Sequence, residues 1–272
     1  MRQGPAFVGI GAQKSATSWL WTNLRTHPQL WLPPLKELHW FDTRLVDTGY
    51  RHRRGLARCR RLLRRPTLAN AIWFWRFYNA LENGSVDTGY RSLFSRNDDR
   101  LTGEITPAYA VLDKEIVDRI HRVVPDHCRI IFCMREPVGR LWSQLRMDCR
   151  RRNISISDLD ESEVDTMAKK PRNALRSNYA FTLDNWSVFE GRLGLFFYED
   201  MVKNPTDFLA EVFRFLEVDP SWRPPHFNRA FNVGGGEGGP PEPLATVWRR
   251  EYAPLVQYVK KKVGRVPAEW ET

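Results

Sequence analysis

A lysine and three hydroxyl side chains follow the first apolar run of the chain. The run at 6–10 leads into GIGAQKSATSW, where Lys14 and Ser15 are followed by Thr17 and Ser18. If the run is a buried strand and a helix begins after the loop, backbone N–H groups at the helix N-terminus add partial positive charge to that of the lysine. We therefore expect the loop to bind a phosphate-like anion. The alternative is an ordinary strand-to-helix turn with a solvated lysine.

This loop departs from the Walker A pattern, which places a glycine directly before the lysine. The chain has Gln13 at that position. The apolar segment at 129–134 is followed by Arg135, not by an acidic residue that would hold magnesium. The pattern favours a phosphorylated ligand without an obligatory metal ion, and a P-loop kinase or NTPase remains the alternative enzyme.

Arg135 begins a second candidate anion site. Ser143 follows it by eight residues, two turns into the helix predicted after 129–134. An arginine and a hydroxyl can share one anion as charge partner and hydrogen-bond donor. Alone the pair is weak evidence, because an arginine after a strand usually forms a surface ion pair. Together with the first loop it is strong.

Three motifs in this order resemble the sulfotransferases that use 3′-phosphoadenosine 5′-phosphosulfate (PAPS). They are K-S-A-T-S-W opening a helix, R-E-P-x-x-R-x-x-S, and F-Y-E-D-M before a capped helix. The likeness covers residues 6–43, 101–150 and 175–263. It implies that the 5′-phosphosulfate is held by Lys14, Ser15, Ala16, Thr17, Ser18 and Trp19.

The same resemblance implies a site for the rest of the donor. Arg135 and Ser143 would bind the 3′-phosphate, and Trp19 and Tyr198 would lie near the adenine. For Tyr198 a place in the hydrophobic core is an equal alternative.

The segment LKELHWFD, at 35–42, resembles K-E-x-H-F-F-D of the carbohydrate-modifying branch. The resemblance implies that Glu37 is the catalytic base, with Lys36 and His39 beside it; His39 is the alternative base. Glu37 and His39 alternate with apolar residues, so both side chains point the same way if the segment is extended. The competing interpretation is a surface turn with solvated charges.

Two positions depart from the family pattern. LTGEITPAYAVL resembles G-E-K-T-P-x-Y, but Ile105 replaces the lysine. The late glycine-rich stretch NVGGGEGGPP carries only Glu237, where the family has Lys or Arg. Backbone N–H groups at 234–236, Arg229 or an arginine from 51–65 would have to replace that charge. A catalytically inactive relative that only binds nucleotide is a further alternative.

Strands alternate with helices along the chain. Apolar segments at 6–10, 129–134 and 193–198 are predicted strands; helices are predicted at 16–26, from 137 to about 150, after Asn204-Pro205, and at 246–263. Such alternation with apolar strands predicts an α/β fold, a parallel sheet covered by helices on both faces. Its ligands bind at the carboxyl ends of the strands. We treat residues 1–272 as one domain.

Charge and composition narrow the function classes. The 272 residues contain 42 Lys and Arg against 32 Asp and Glu, a net charge of +10, and 42% hydrophobic residues exclude a disordered chain. Eight arginines lie at 51–65, within a basic and aromatic insertion at about 44–98. Residues 66–81 are predicted as a buried or interfacial helix, not a membrane anchor. Residues 51–80 could contact a membrane surface or a polyanion, and no specific nucleic acid is expected. The non-enzymatic alternative is a polyanion-binding protein that acts through the arginines at 51–65.

The sequence therefore predicts transfer of a sulfuryl group from PAPS to a hydroxyl or amine of an acceptor, expected to be a carbohydrate or glycolipid. No metal ion is expected to be required. The first apolar run is too short for a signal peptide, so we expect a cytoplasmic protein.

Overall fold

The computed structural model describes residues 4–44, 67–225, 227 and 238–271. Several expectations fall outside these ranges. They concern the arginine run at 51–65, Arg229, and the glycines at 234–236 with Glu237.

Five parallel strands form the centre of the molecule, in the order β2-β3-β1-β4-β5. Their bounds are β1 (Phe7–Gly11), β2 (Leu30–Trp31), β3 (Leu101–Ile105), β4 (Arg129–Met134) and β5 (Leu193–Phe197). Every residue of β1 is buried, and Val8 aligns with Glu104 on one side and Ile130 on the other. The predicted parallel α/β fold is confirmed.

Helices cover both faces of this sheet. They are α1 (Thr17–Leu24), α2 (Trp40–Arg44), α3 (Leu68–Glu82), α4 (Val86–Ser92), α5 (Lys114–Val123), α6 (Pro137–Arg151), α7 (Glu161–Ala168), α8 (Pro171–Ser177), α9 (Tyr179–Asn185), α10 (Tyr198–Lys203), α11 (Pro205–Phe215) and α12 (Glu242–Val263). Short 3-10 turns lie at Pro107–Val111, Ile156–Asp158, Trp186–Phe189 and Ala268–Trp270.

Capping residues fix where the helices next to the strands begin. Glu136 accepts hydrogen bonds from the N–H groups of the first turn of α6, and a proline occupies the first helical position. Asn204 caps α11 in the same way, again with a proline after it. These two starts agree with the sequence prediction.

Alternating residues of the strands enter two different cores. Ile131 of β4 packs in one core with Leu20 of α1 and Phe213 of α11. Its neighbour Phe132 packs in the other core, with Val117 of α5. Both faces of the sheet are therefore sealed, which leaves its carboxyl edge for a site.

The strand order places a crevice at that edge. From β1 the chain passes to β2 and β3 on one side and then to β4 on the other. The loops after β1, β3 and β4 therefore meet at the carboxyl end of β1, the position where ligands of such sheets bind.

Three details differ from the sequence prediction. Strands β2 and β3 were not predicted, because β2 has two residues and β3 contains a threonine, a glycine and a glutamate. Tyr198 begins α10 and does not end the preceding strand. The last helix begins at Glu242, four residues before the predicted start.

Helix α3 lies in the described part of the basic and aromatic insertion. Trp73 and Phe77 are buried on its inner face, whereas Leu68 and Trp75 are 79% and 67% exposed. Within the described ranges, no helix is long and apolar enough to cross a membrane. The limits proposed for the insertion stay a prediction.

Gly103 is the point where β3 approaches β1 most tightly. A Cβ atom there would lie 2.3 Å from ring atoms of Phe7, which is fully buried. We expect Gly103→Ala to lower the free energy of unfolding by at least about 2 kcal/mol, because the ring has no room to move. Urea unfolding measures this, with Gly239→Ala as control, since nothing lies within 4 Å of that position. Equal unfolding midpoints for both variants would contradict the tight β1–β3 contact.

Candidate active site

Three segments meet at the carboxyl edge of the sheet. They are the loop after β1 (residues 12–16, here the anion loop), the residues after β4, and the segment 35–42 before α2. The N–H of Ala12 donates to the carbonyl of Cys133 at 2.7 Å, and the N–H of Glu37 donates to the carbonyl of Ile105 at 3.2 Å. Backbone hydrogen bonds thus hold two of the segments to β4 and β3.

The anion loop contains a buried hydroxyl donor that has no acceptor within the described residues. Lys14 and Ala16 have left-handed backbones, with φ of 76° and 55°. Ser15 is 1% exposed and its hydroxyl has no partner among those residues. No side chain caps the N-terminus of α1. A buried hydroxyl and uncapped N–H groups beside a lysine fit an anion.

Lys14 is half-buried beside α6, where its Nζ lies 3.9 Å from the sulfur of Met147. Burial, followed by the charges of Arg150 and Arg135, lowers the pKa of Lys14 to about 8. An anion at the loop would oppose this shift, because it favours the charged form of the lysine.

Arg135 joins the anion loop to α10. Its Nη1 donates to the carbonyl of Lys14 at 3.3 Å, and its guanidinium lies 4.4 Å from the ring centroid of Tyr198. The hydroxyl of Tyr179 donates to the carbonyl of Arg135 at 2.7 Å. The structure therefore brings Lys14, Arg135 and Tyr198 together; their roles toward a ligand stay a prediction.

Ser143 and Trp19 have different environments. Ser143 is half-buried on α6, two turns after Arg135. Trp19 is only 6% exposed; its indole N–H donates to the carbonyl of Phe227, and its ring meets Phe208 edge-on at 6.1 Å. Trp19 thus packs in the core and supports α1, which leaves little of its surface for a ligand.

Lys36 links the start of α1, which follows the anion loop, to Glu37. Its Nζ donates to the hydroxyl of Ser18 at 3.0 Å and to Oε1 of Glu37 at 2.6 Å. Thr17, the first residue of α1 and the chain neighbour of Ser18, is buried. The link joins the first turn of α1 directly to the candidate base.

Glu37, His39 and Asp42 form a row of alternating charges. Nε2 of His39 lies 3.4 Å from Glu37, and Nδ1 lies 2.6 Å from Asp42. The backbone here is not extended, the condition under which the sequence pattern would have aligned the two side chains: Glu37 and His39 have φ of 60° and 53°. The two side chains still meet, because left-handed residues turn the segment back on itself.

The charges of this row set its protonation states. Burial alone would lower the pKa of His39, but hydrogen bonds to Asp42 and Glu37 raise it to about 9. Burial would raise the pKa of Glu37, but the hydrogen bond from His39 and the charge of Lys36 lower it to about 2. At neutral pH His39 is therefore a cation and Glu37 an anion.

A buried carboxylate under the segment was not singled out from the sequence. Glu104 is 1% exposed and accepts hydrogen bonds from Tyr90 (2.6 Å), Thr106 (2.7 Å) and Tyr109 (3.2 Å). Burial raises the pKa of Glu104 to about 7 despite these bonds. The Tyr109 hydroxyl also accepts from the N–H of Trp40 at 2.9 Å, which fixes the 35–42 segment. The G-E-x-T-P-x-Y pattern in the sequence contains Glu104 and two of its three hydroxyl partners, and could have identified it.

A second support lies under Arg135. The N–H of Glu136 donates to Glu199 at 2.8 Å, and the indole of Trp270 donates to the same carboxylate at 3.0 Å.

Ile105, which replaces the lysine of the motif, is 1% exposed and faces Gly9. It therefore adds no polar group to the site.

Comparison with known proteins gives the family. The family model described as "Sulfotransferase family" matches residues 5–224. No curated protein sequence matches the chain.

Solved structures share the fold. A sulfotransferase from Alicyclobacillus acidocaldarius has 20% identity and a TM-score of 0.68, covering 98% of this chain and 99% of that one. The sulfotransferase domain of the Synechococcus PCC 7002 olefin synthase has 21% identity and a TM-score of 0.56, covering 91% and 88%. A sulfotransferase domain from the curacin biosynthetic pathway has 19% identity and a TM-score of 0.55, covering 87% and 82%.

The imidazole of His39 should titrate with a pKa of about 9, and Asp42→Asn should lower that pKa toward the ordinary value of 6.5 because it removes the closer partner. NMR of ¹³C-labelled histidine measures the titration, with the signal assigned by its loss in His39→Gln. Asp118→Asn, on α5, is the control.

The sign of the stability effect follows from the same shift. The pKa is higher in the folded protein, so the stability that His39 contributes is complete below about pH 6.5 and is lost as the pH rises through about 9. A His39 that titrates near 6.5 in the unmodified protein would contradict the arrangement.

Proposed function

Because the chain belongs to the sulfotransferase family, we propose that it transfers the sulfuryl group of PAPS to a hydroxyl or amine of an acceptor. The observation that carries the proposal is the Lys36 link. One ammonium group contacts both Ser18, on the first turn of α1, and the carboxylate of Glu37. An anion cradle and a candidate base are thereby held side by side.

The residues present fit the donor, which has two separate anionic groups. The Ser15 hydroxyl, which has no partner among the described residues, suits the phosphosulfate, as do Lys14 and the start of α1, which no described side chain caps. Arg135 and Ser143 suit the 3′-phosphate, and the half-buried ring of Tyr198, under the Arg135 guanidinium, suits contact with the adenine. When bound, the donor supplies the sulfuryl group and a phosphate that leaves with negative charge.

Lys14 is placed for an electrostatic role. Its ammonium lies beside the donors of the anion loop, and at neutral pH a pKa of about 8 keeps most of it charged. A fixed positive charge stabilises the negative charge that develops on the leaving oxygen, and it needs no reorganisation at the moment of transfer.

Glu37 suits the role of base better than His39. His39 is protonated at neutral pH and cannot accept a proton, whereas Glu37 is ionised. With Lys36 attached, Glu37 is a weak base. Movement of the Lys36 ammonium toward an anion at Ser18 would raise the pKa of Glu37, because a positive charge leaves the carboxylate. His39 and Asp42 would then hold the carboxylate in place.

The acceptor class follows from two features. The likeness of 35–42 to the carbohydrate-modifying branch supports a sugar hydroxyl or amine. The exposed Leu68 and Trp75 of α3 suit the lipid part of a glycolipid, since such side chains favour membrane interfaces.

Lys14→Ala should reduce turnover by about 10²–10³ through the lost charge, and Glu37→Gln by about 10²–10⁴ through the lost base. Labelled PAPS and a panel of neutral, amino and acidic sugars first identify an acceptor, and turnover is then compared. Lys114→Ala and Glu115→Gln, exposed on α5, are matched controls. A Glu37→Gln protein with near-normal turnover, beside an inactive His39→Gln protein, would move the base to His39.

Calorimetric titration with 3′-phosphoadenosine 5′-phosphate tests the donor site directly. Without magnesium we expect micromolar affinity that Arg135→Ala weakens about tenfold or more, because a charge-assisted contact is lost. Arg119→Ala, on α5, is the control. Tight binding of magnesium-ATP without binding of the bisphosphate would overturn the proposal in favour of a kinase or NTPase.

A further inference from the structure

Helix α6 continues the row of site residues beyond Ser143. Arg146, Met147 and Arg150 follow it at spacings of three, four and seven, so they lie on the same helix face. Lys14 touches this face at Met147. The face that carries Ser143 therefore passes the anion loop and goes on for another turn.

The charges on this face act on the site. After burial, the largest contributions that lower the pKa of Lys14 are the charges of Arg150, Arg135, Arg151 and Arg146. Among the described residues no carboxylate lies within ion-pair distance of Arg150 or Arg151. Like charges that lie close together repel one another, and an anion between Arg150 and Arg151 reduces the repulsion.

Helix α8 extends the positive surface. The acid between the two helices, Asp148, already accepts hydrogen bonds from Arg172 at 3.0 Å and from Gln144 at 2.9 Å. Burial, followed by the charges of Arg172 and Arg140, lowers the pKa of Arg176 to about 10. One nitrogen of its guanidinium, Nη1, is buried without a hydrogen-bond partner within the described ranges.

The geometry points to a separate anion-binding surface beside the anion loop, which we call the α6 cationic band: Arg146, Arg150, Arg151, Arg172 and Arg176. We propose that it binds sulfate, phosphate or carboxylate groups of the acceptor, so that the acceptor is a polyanion. The assignment to the acceptor rests on the proposed function; the binding of anions does not.

The donor by itself does not account for the band. Its 3′-phosphate is assigned to Arg135 and Ser143. Arg150 is seven residues beyond Ser143, about 10 Å along the helix axis at 1.5 Å per residue. Arg172 and Arg176 lie on another helix. A small nucleotide held at the anion loop would leave these arginines to a second ligand.

Small charged probes test the band on the protein saturated with 3′-phosphoadenosine 5′-phosphate. Sucrose octasulfate and inositol hexakisphosphate are titrated calorimetrically, with sucrose and myo-inositol as uncharged counterparts. We expect at least one charged probe to bind, and the preference between them identifies sulfate or phosphate as the recognised group. Arg150→Gln/Arg151→Gln should weaken that binding about tenfold.

The matched control is Arg119→Gln/Arg122→Gln on α5, which removes the same charge away from α6 and should change probe affinity less than about twofold. Equal affinity of the α6 variant and the unmodified protein would overturn the proposal and move probe binding to another surface. A tenfold loss of nucleotide affinity in the α6 variant would also overturn it, since the arginines would then belong to the donor site.

Failure of the proposed function has a different signature. In that case the unmodified protein does not bind the bisphosphate, yet the charged probe still binds and still depends on Arg150 and Arg151. The probe titrations are therefore repeated without nucleotide.

Discussion

The parallel pairing of β1 with both β3 and β4 is the constraint on which the site depends. It brings the ends of three strands to one edge, although they are far apart in the chain. The anion loop is tied to β4 through Ala12, and the 35–42 segment is tied to β3 through Glu37. With both faces of the sheet sealed by apolar side chains, the polar groups of these loops have only this edge at which to meet.

Charge is distributed unevenly around that edge. The side formed by α1, α6 and α8 is positive, with Lys14 and a series of arginines. The side formed by the 35–42 segment alternates, with Lys36, Glu37, His39 and Asp42 in sequence of contact. Lys36 is the connection between the two, because it contacts the first turn of α1 as well as Glu37. Such an arrangement can bind a strongly anionic donor while keeping one carboxylate ionised beside it.

The interior of the sheet contains a buried carboxyl group, that of Glu104. Glu104 is a carboxylate inside the sheet, which is unfavourable unless its oxygens are hydrogen-bonded. Three hydroxyls satisfy it, and one of them, from Tyr109, also holds the backbone of Trp40. The pattern around Glu104 therefore positions the segment with Glu37 and does not itself face the site. Glu199 has a corresponding role under the backbone of Glu136.

The sequence by itself determined the local features. Three features are each encoded within about ten residues: a lysine and hydroxyls after an apolar run, a helix that begins with a proline after Arg135, and a charged segment at 35–42. The anion loop, the parallel α/β class and the candidate base could therefore be predicted.

Tertiary structure decided the rest. Glu104 of β3 is buried with its oxygens hydrogen-bonded to hydroxyls from outside the strand. Trp19 packs against Phe208 in the core. Glu37 and His39 take left-handed backbones while hydrogen bonds to Ile105 and Tyr109 hold their segment. The α6 arginines act on Lys14 from more than 130 positions away. These features depend on contacts between distant residues, and the local pattern of a chain does not contain such contacts.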